Sequence, residues 1–319
     1  KDAAQETLTE QGRRWASQLT KIPYLASWLD GGERAGMSHD ALMTNLNNAL
    51  DAKLRLLEKT TGPVMDLIAN RSKEDKKRHA KEIYIDEIGE SLHGHQVLAV
   101  ALNVGNQGNL RKLLLGEGWA EDDSQVSLNN EKLQAVLKHM SKTDWEFVQT
   151  VWDQMNTLYP QLAEVHRKTT GLVPPQIQST PVETPFGTFN GGYYPVKYSP
   201  QRSHKADKNQ TKADAQNDSL FSTEGSIQNS VTTSATQERT GFYDRIRLDI
   251  NIVPEHFNET IHFITHHDAV RQLNKLIRDP AVEDSITAVL GEAEFKQLAP
   301  WLNDIAKDGK EGPTKSYMD

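Results

Sequence analysis

The sequence predicts a mainly α protein: a multi-helix bundle carrying a small β-hairpin or sheet element and a long polar arm. Three observations carry that prediction. Apolar residues recur at helical spacing through the first 170 residues. Pro, Gly and aromatic residues crowd residues 171–200, where helices are disfavoured. Residues 201–240 hold 20 Ser, Thr, Asn or Gln and too few large apolar side chains to offset their own ordering entropy. The expected organisation is an N-terminal helical bundle over 1–170, then a Pro/aromatic hairpin, polar arm (201–240) and returning strand over 171–253. C-terminal helices over 254–319 would pack back on the bundle.

Each element has its own warrant. Within Ala41–Leu57, Leu42, Leu46, Leu50, Leu54 and Leu57 recur at spacings of four and three, one face of an amphipathic helix, with Ser38 as a candidate cap. A second helix is expected over Val64–Asn70, followed by the mixed-charge run Lys73–His79 as a solvated face. Ile83–Leu102 reads as one long helix. Its second half, Val97–Leu102, is apolar nearly all round and should be the central, buried helix. In the Asn103–Asn109 turn, Gly105 is expected to end that helix and Asn109 to cap the next, Leu110–Leu115.

Thr143–Glu146 matches a capping box in front of Phe147–Leu158, whose Trp145, Val148, Trp152 and Met155 form a heavy apolar stripe ended at Pro160. Asn190-Gly191, between aromatic-bearing runs, predicts a hairpin turn. Ile246, Leu248, Ile250 and Ile252 alternate with polar residues, as a half-buried strand that could pair with that hairpin. Helices follow near Glu255–Ile277, Ala281–Leu290 and Glu292–Ala306, with Pro254 and Pro280 at their starts and Asp279 as a cap.

Composition bounds the function. Among 319 residues there are 36 Lys and Arg, 44 Asp and Glu and no Cys, giving a net charge of −8. The missing cysteines exclude disulfides, thiolate nucleophiles and Cys-based metal centres. The acidic balance argues against bulk duplex binding, and no apolar run is long enough to span a bilayer. No leader follows Lys1, so the chain reads as an excised or processed piece of something longer.

Within those bounds three constellations can carry chemistry. Glu90-Ser-Leu-His93 and Glu259-Thr-Ile-His262 are two Glu-x-x-His elements of the kind that builds carboxylate-bridged metal sites in helical bundles, and His266 could add a ligand. Against them, on a helical wheel Glu90 and His93 point away from the Ile85–Leu92 stripe, and the further carboxylates have no distinguishing context. His262 and His266 have zincin spacing, but Phe263 stands where the general base belongs. Histidines crowded over 256–267 could also make a pH-responsive contact. The aromatic cluster around Phe189, Tyr193 and Tyr194, with Lys197 and Arg202 beyond, would suit stacked single-stranded bases, although aromatics packing a Pro-rich hairpin onto helices are the commoner arrangement. No phosphate-cradling loop, nucleophile elbow or other cofactor motif is present, so no cofactor is expected.

Three blocks, in order, resemble a known module. They are Ala99-Val-Ala-Leu-Asn-Val-Gly-Asn-Gln-Gly-Asn109; Trp145–Asp153 running to Tyr159-Pro160 and Thr170-Gly171; and Pro185-Phe-Gly-Thr-Phe-Asn-Gly-Gly-Tyr-Tyr-Pro-Val-Lys-Tyr198, followed by His262 to Asp279-Pro280. Together they are similar to a helical module of the large polyvalent proteins of tailed bacteriophages, over roughly residues 80–305. The resemblance implies a segment of a giant virion-associated polypeptide, in some cases ejected with the genome, found in the virion or the host bacterial cytoplasm. It implies no catalytic residues for the module itself. The expectation is therefore a non-enzymatic structural or interaction segment, with Phe189, Tyr193, Tyr194, Lys197, Arg202 and the arm as contact surfaces. Its partners would be other domains of the same polypeptide, virion proteins or a second copy of itself. A helical metalloenzyme and a single-stranded nucleic-acid-binding module are the alternatives.

Overall fold

A computed structural model describes residues 39–199, 244–277 and 279–290, together with Gly36, Glu292 and Lys296. They form a mainly helical protein with two small antiparallel two-stranded sheets. The polar arm, Arg202 and most of the expected final helix lie outside the described residues. No helix among the described residues is long and apolar enough to cross a membrane. They fall into two compact units, one of 56–199 and 244–261, the other of 39–55 and 262–290, and both boundaries lie inside helices.

After a short π-helical turn, Asp40–Thr44, helix α1 runs Asn45–Ala69. The two helices expected here are one, continuous through Pro63. Pro63 sits on the exposed side of the helix, where water can satisfy the carbonyl its ring leaves unpaired, while buried Thr60 and Val64 hold both flanking turns against the protein.

In the larger unit, α2 (Lys73–Ala80) is capped by Ser72 and leads into a hairpin, not into the first half of a long helix. Strands β1 (Glu82–Ile85) and β2 (Glu90–His93) pair Ile83 with Leu92 and Ile85 with Glu90. The β-branched and aromatic run Ile83-Tyr84-Ile85 favours a strand, and Gly89, at φ 66°, supplies the left-handed residue its turn needs. Only Gly94–Leu102 is helical (α3), and its residues from Val97 on are fully enclosed.

Around α3 pack α2, β2, α5 (Glu131–Leu137) and the 29-residue α6 (Lys142–Thr170). Helix α4 (Gln107–Gly116) is capped by Asn106 rather than Asn109, whose backbone N–H is the group the Asn106 side chain receives. The capping box of α6 is likewise Ser141 with Asp144, two residues earlier than Thr143–Glu146 suggests, and Pro160 lies within the helix. Trp145, Val148, Trp152 and Met155 are all buried along it.

Strands β3 (Val182–Thr184) and β4 (Gly187–Phe189) form the second hairpin. Its turn is Pro185-Phe186, so Asn190-Gly191 has another role, taken up below. The expected strand over Ile246–Ile252 reduces to a single antiparallel bridge, Ile246 to Tyr198, flanked by Ser199 N to Arg245 O (2.9 Å) and Arg247 N to Lys197 O (2.7 Å). From Ile252 the chain is helix α7 (Ile252–Ile277). Pro254 lies in its first turn, where no intrahelical N–H is lost.

In the smaller unit, the start of α1 and the end of α7 are joined by Asn45 Nδ2 to Gln272 Oε1 at 3.4 Å. Helix α8 (Pro280–Leu290) starts as expected, with Asp279 accepting from Ala281 N at 3.0 Å.

Candidate functional site

The centre of the larger unit is Trp152. Its indole N–H donates to Leu102 O at 3.0 Å, and the ring is completely enclosed. Two glycines close on it. A Cβ placed on Gly105 would sit 2.5 Å from the indole, and one on Gly192 would sit 2.5 Å from the Trp152 Cβ. These approaches let residues 190–198, which have no regular secondary structure beyond the Tyr198 bridge, lie across the bundle as a strap. Gly191, at φ 72°, makes the bend where only glycine is unstrained.

The strap satisfies its polar backbone through the Asn103–Asn109 turn. Gly192 N and Thr180 N both donate to Gly105 O (2.8 Å each), Asn106 Nδ2 donates to Gly192 O (3.0 Å), and Asn109 Nδ2 donates to Tyr194 O (2.7 Å). Buried backbone without sheet partners requires such side-chain partners, which is why asparagines fill the turn.

Beyond the strap lies a polar cluster against α7. Lys197 Nζ reaches Glu255 (2.8 Å) and Glu259 (3.4 Å), and Arg247 pairs with Asp249 (2.6 Å) and Glu255 (3.6 Å). His256 is buried beside Tyr193, ring centroids 5.6 Å apart, with Thr260 Oγ1 3.3 Å from its Nε2 and Glu259 4.0 Å from its Nδ1. Burial, helped by the Lys197 charge, pulls the His256 pKa down to about 3, so the imidazole is neutral. Burial also raises Glu259, against the opposing pull of Lys197.

Thr260, His256 and Glu259 stand in the order nucleophile, base, carboxylate. The carboxylate is beyond hydrogen-bonding distance of the ring, however, and the cavity shared by Tyr193, His256, Thr260, Asn156 and Gln176 has a volume of only about 30 Å³. That is room for about one or two waters, where a substrate pocket occupies about 300 Å³ or more. The cluster is built to hold the strap to the helix.

A second polar centre sits at the start of α6. Asp144, 1% exposed, receives Arg78 (2.7 Å), His79 (2.7 Å), Arg71 (3.3 Å) and the Ser141 N–H (2.9 Å). The Arg71 guanidinium also lies over the Phe147 ring at 5.0 Å. Burial disfavours ionised Asp144, but the His79 and Ser141 hydrogen bonds outweigh it and hold the carboxyl well below the usual range. The charged run 73–79 is thus not merely solvated: Arg78 and His79 clamp α2 onto α6. Sequence reasoning missed this centre, because a lone Asp three residues after a Ser shows only as a cap.

The proposed metal ligands are not brought together. Glu90 and His93 lie on a strand, where an odd separation sends side chains to opposite faces, and Glu90 pairs with Arg245 at 3.1 Å. Glu259 belongs to the Lys197 cluster, while His262 stacks on His266 with ring centroids 4.1 Å apart. His266 is drawn down to about 4 by burial and by Lys53. No group of three or more His, Asp or Glu among the described residues is placed to hold a metal ion.

Of the described aromatic and basic candidates, Tyr194 is buried and Phe189, Tyr193 and Lys197 are half-buried. Tyr194 is 1% exposed and its hydroxyl donates to Asp249 O at 3.3 Å; burial pushes that hydroxyl's pKa up. Phe189 stacks on Trp145 with ring centroids 5.5 Å apart, and Lys197 is ion-paired with Glu255 at 2.8 Å. Phe186, at the tip of the second hairpin, is the aromatic of this group that stays exposed. Fold and site together define a helical scaffold pinned by a buried strap. No protein-family model, curated protein or solved structure matches the chain.

Proposed function

We propose that this chain is a non-enzymatic structural and interaction segment of a large phage virion-associated polypeptide. One observation carries the non-enzymatic part: the residue blocks behind the resemblance are consumed in packing. Asn106, Asn109 and Gly105 of the first block, Trp152 of the second and Gly192 and Tyr194 of the third hold one another, and their polar atoms satisfy buried backbone rather than face a cleft. The rest of the reading is supported by the resemblance.

Mass spectrometry of purified particles from the encoding phage tests it. Peptides of this chain are expected in the particle, within a band far larger than 319 residues. Peptides confined to infected-cell lysate, in a band of this size, would contradict the proposal.

A further inference from the structure

Asn190 is the only asparagine of the chain that is followed by glycine. A backbone nitrogen attacks the side-chain amide of the residue before it most readily when its own residue has no Cβ to obstruct the approach. The asparagines beneath and beside the strap have their carboxamides engaged: Asn103, Asn106, Asn109 and Asn130 each donate from Nδ2 to a backbone carbonyl. Asn190 does not. It is exposed and lies just past the end of β4, with its main-chain N–H donating to Gln149 Oε1 at 2.7 Å. Its carboxamide and the N–H of Gly191 have no hydrogen-bond partner among the described residues. The two groups that would react are therefore neighbours, and no other bond holds either of them.

We propose that Asn190 is a site of spontaneous deamidation, with water as the co-reactant. The Gly191 nitrogen gives up its proton and bonds to Asn190 Cγ. The Cγ–Nδ2 bond breaks, ammonia leaves with that proton, and a cyclic succinimide closes. Water then opens the ring. Opening at Cγ leaves aspartate; opening at the main-chain carbonyl leaves isoaspartate, in which the backbone runs through Cβ. No oxidation or reduction is involved. The strap gives the two products different consequences. Isoaspartate adds a methylene to the main chain immediately before Gly191, where a Cβ would already lie 2.1 Å from Thr180 O and 2.5 Å from Gly105 O. Close-packed backbone on both sides leaves no room for the extra length, so the tie from Gly192 N to Gly105 O (2.8 Å) is released. Aspartate adds only a charge to an exposed side chain and leaves the tie in place. The site is the same whether or not the chain belongs to a virion protein.

Peptide mapping by mass spectrometry tests the proposal on the full chain, kept folded at mildly alkaline pH and physiological temperature and sampled over weeks. The peptide spanning Asn190 is expected to gain about one dalton before any other described asparagine converts, and to separate into aspartate and isoaspartate forms. Asn190→Gln is expected to abolish that gain while keeping the melting temperature of the fresh wild type, because the residue is exposed. Hydrogen exchange then distinguishes the products. The isoaspartate form is expected to lose protection at the Gly192 amide, whereas freshly prepared Asn190→Asp keeps it. An intact Asn190 in a sample where other described asparagines have converted, or an unmodified chain throughout, would overturn the site. Equal Gly192 protection in the isoaspartate form and in the fresh chain would overturn its link to the strap.

Discussion

At the residue scale, Asp144 ties Arg71, Arg78 and His79 to the start of α6. Two guanidiniums and an imidazole converge on that carboxylate while it is charged, and removing one member of a buried pair costs about 3–5 kcal/mol. Asp144→Asn is expected to lower unfolding free energy by about that amount in urea titrations. Asp144 and the buried histidines give the pH dependence two parts of one sign, which the burial-raised Glu259 opposes in part. The folded pKa of Asp144 is depressed, so its contribution is complete above the unfolded value of about 4 and is lost as pH falls below it. His256 and His266 are buried neutral, with folded values of about 3 and about 4. Acid protonates them preferentially in the unfolded chain, so their effect begins earlier, below about pH 6.5. Stability is expected to decline from pH 6.5 to 4 and more steeply below 4, with the steeper part missing in Asp144→Asn. A profile flat to pH 4 would contradict these burials.

At the scale of elements, the sequence was most legible where a helix buries a wide apolar face. The Trp145–Met155 stripe and the all-round apolar Val97–Leu102 are both helical and enclosed. It was least legible where periodicity is short. Ile85, Ile88 and Leu92 satisfy a helical wheel, yet Ile83-Tyr84-Ile85 satisfies alternation equally well, and Gly89 decides for the hairpin. Asn190-Gly191 carries a turn signature because both residues tolerate positive φ; the structure uses that freedom for close approach to the bundle. Its hairpin turns at Pro185-Phe186 instead.

The bridge at Tyr198 and Ile246 has a consequence for the segment between them. Its two ends are antiparallel neighbours, with Ser199 and Arg245 hydrogen-bonded at 2.9 Å. Replacing residues 201–242 by a short Gly-containing turn is therefore expected to leave the melting temperature within a few degrees of wild type, because closing a shorter loop costs less entropy. Loss of cooperative unfolding in that variant would mean that the arm contributes to the core.

On the scale of the whole molecule, a chain of 319 residues with 36% apolar content builds its larger unit around a strap without repeating secondary structure. None of the strap's ties was visible in the sequence, since they join side-chain amides of residues 106–109 to carbonyls more than eighty positions away. Within the aromatic run of residues 186–198, Tyr194 is buried and the half-buried Lys197 pairs with Glu255. The proposed scaffold function rests on that difference between a contact surface and a keystone.

Native-state hydrogen exchange at the amides of Gly192 and Thr180, which share the Gly105 carbonyl, tests the claim most directly. Both are expected to exchange only by global unfolding, together with the buried turns of α3 and α6. Exchange of either at the rate of an exposed loop would contradict the strap as part of the core.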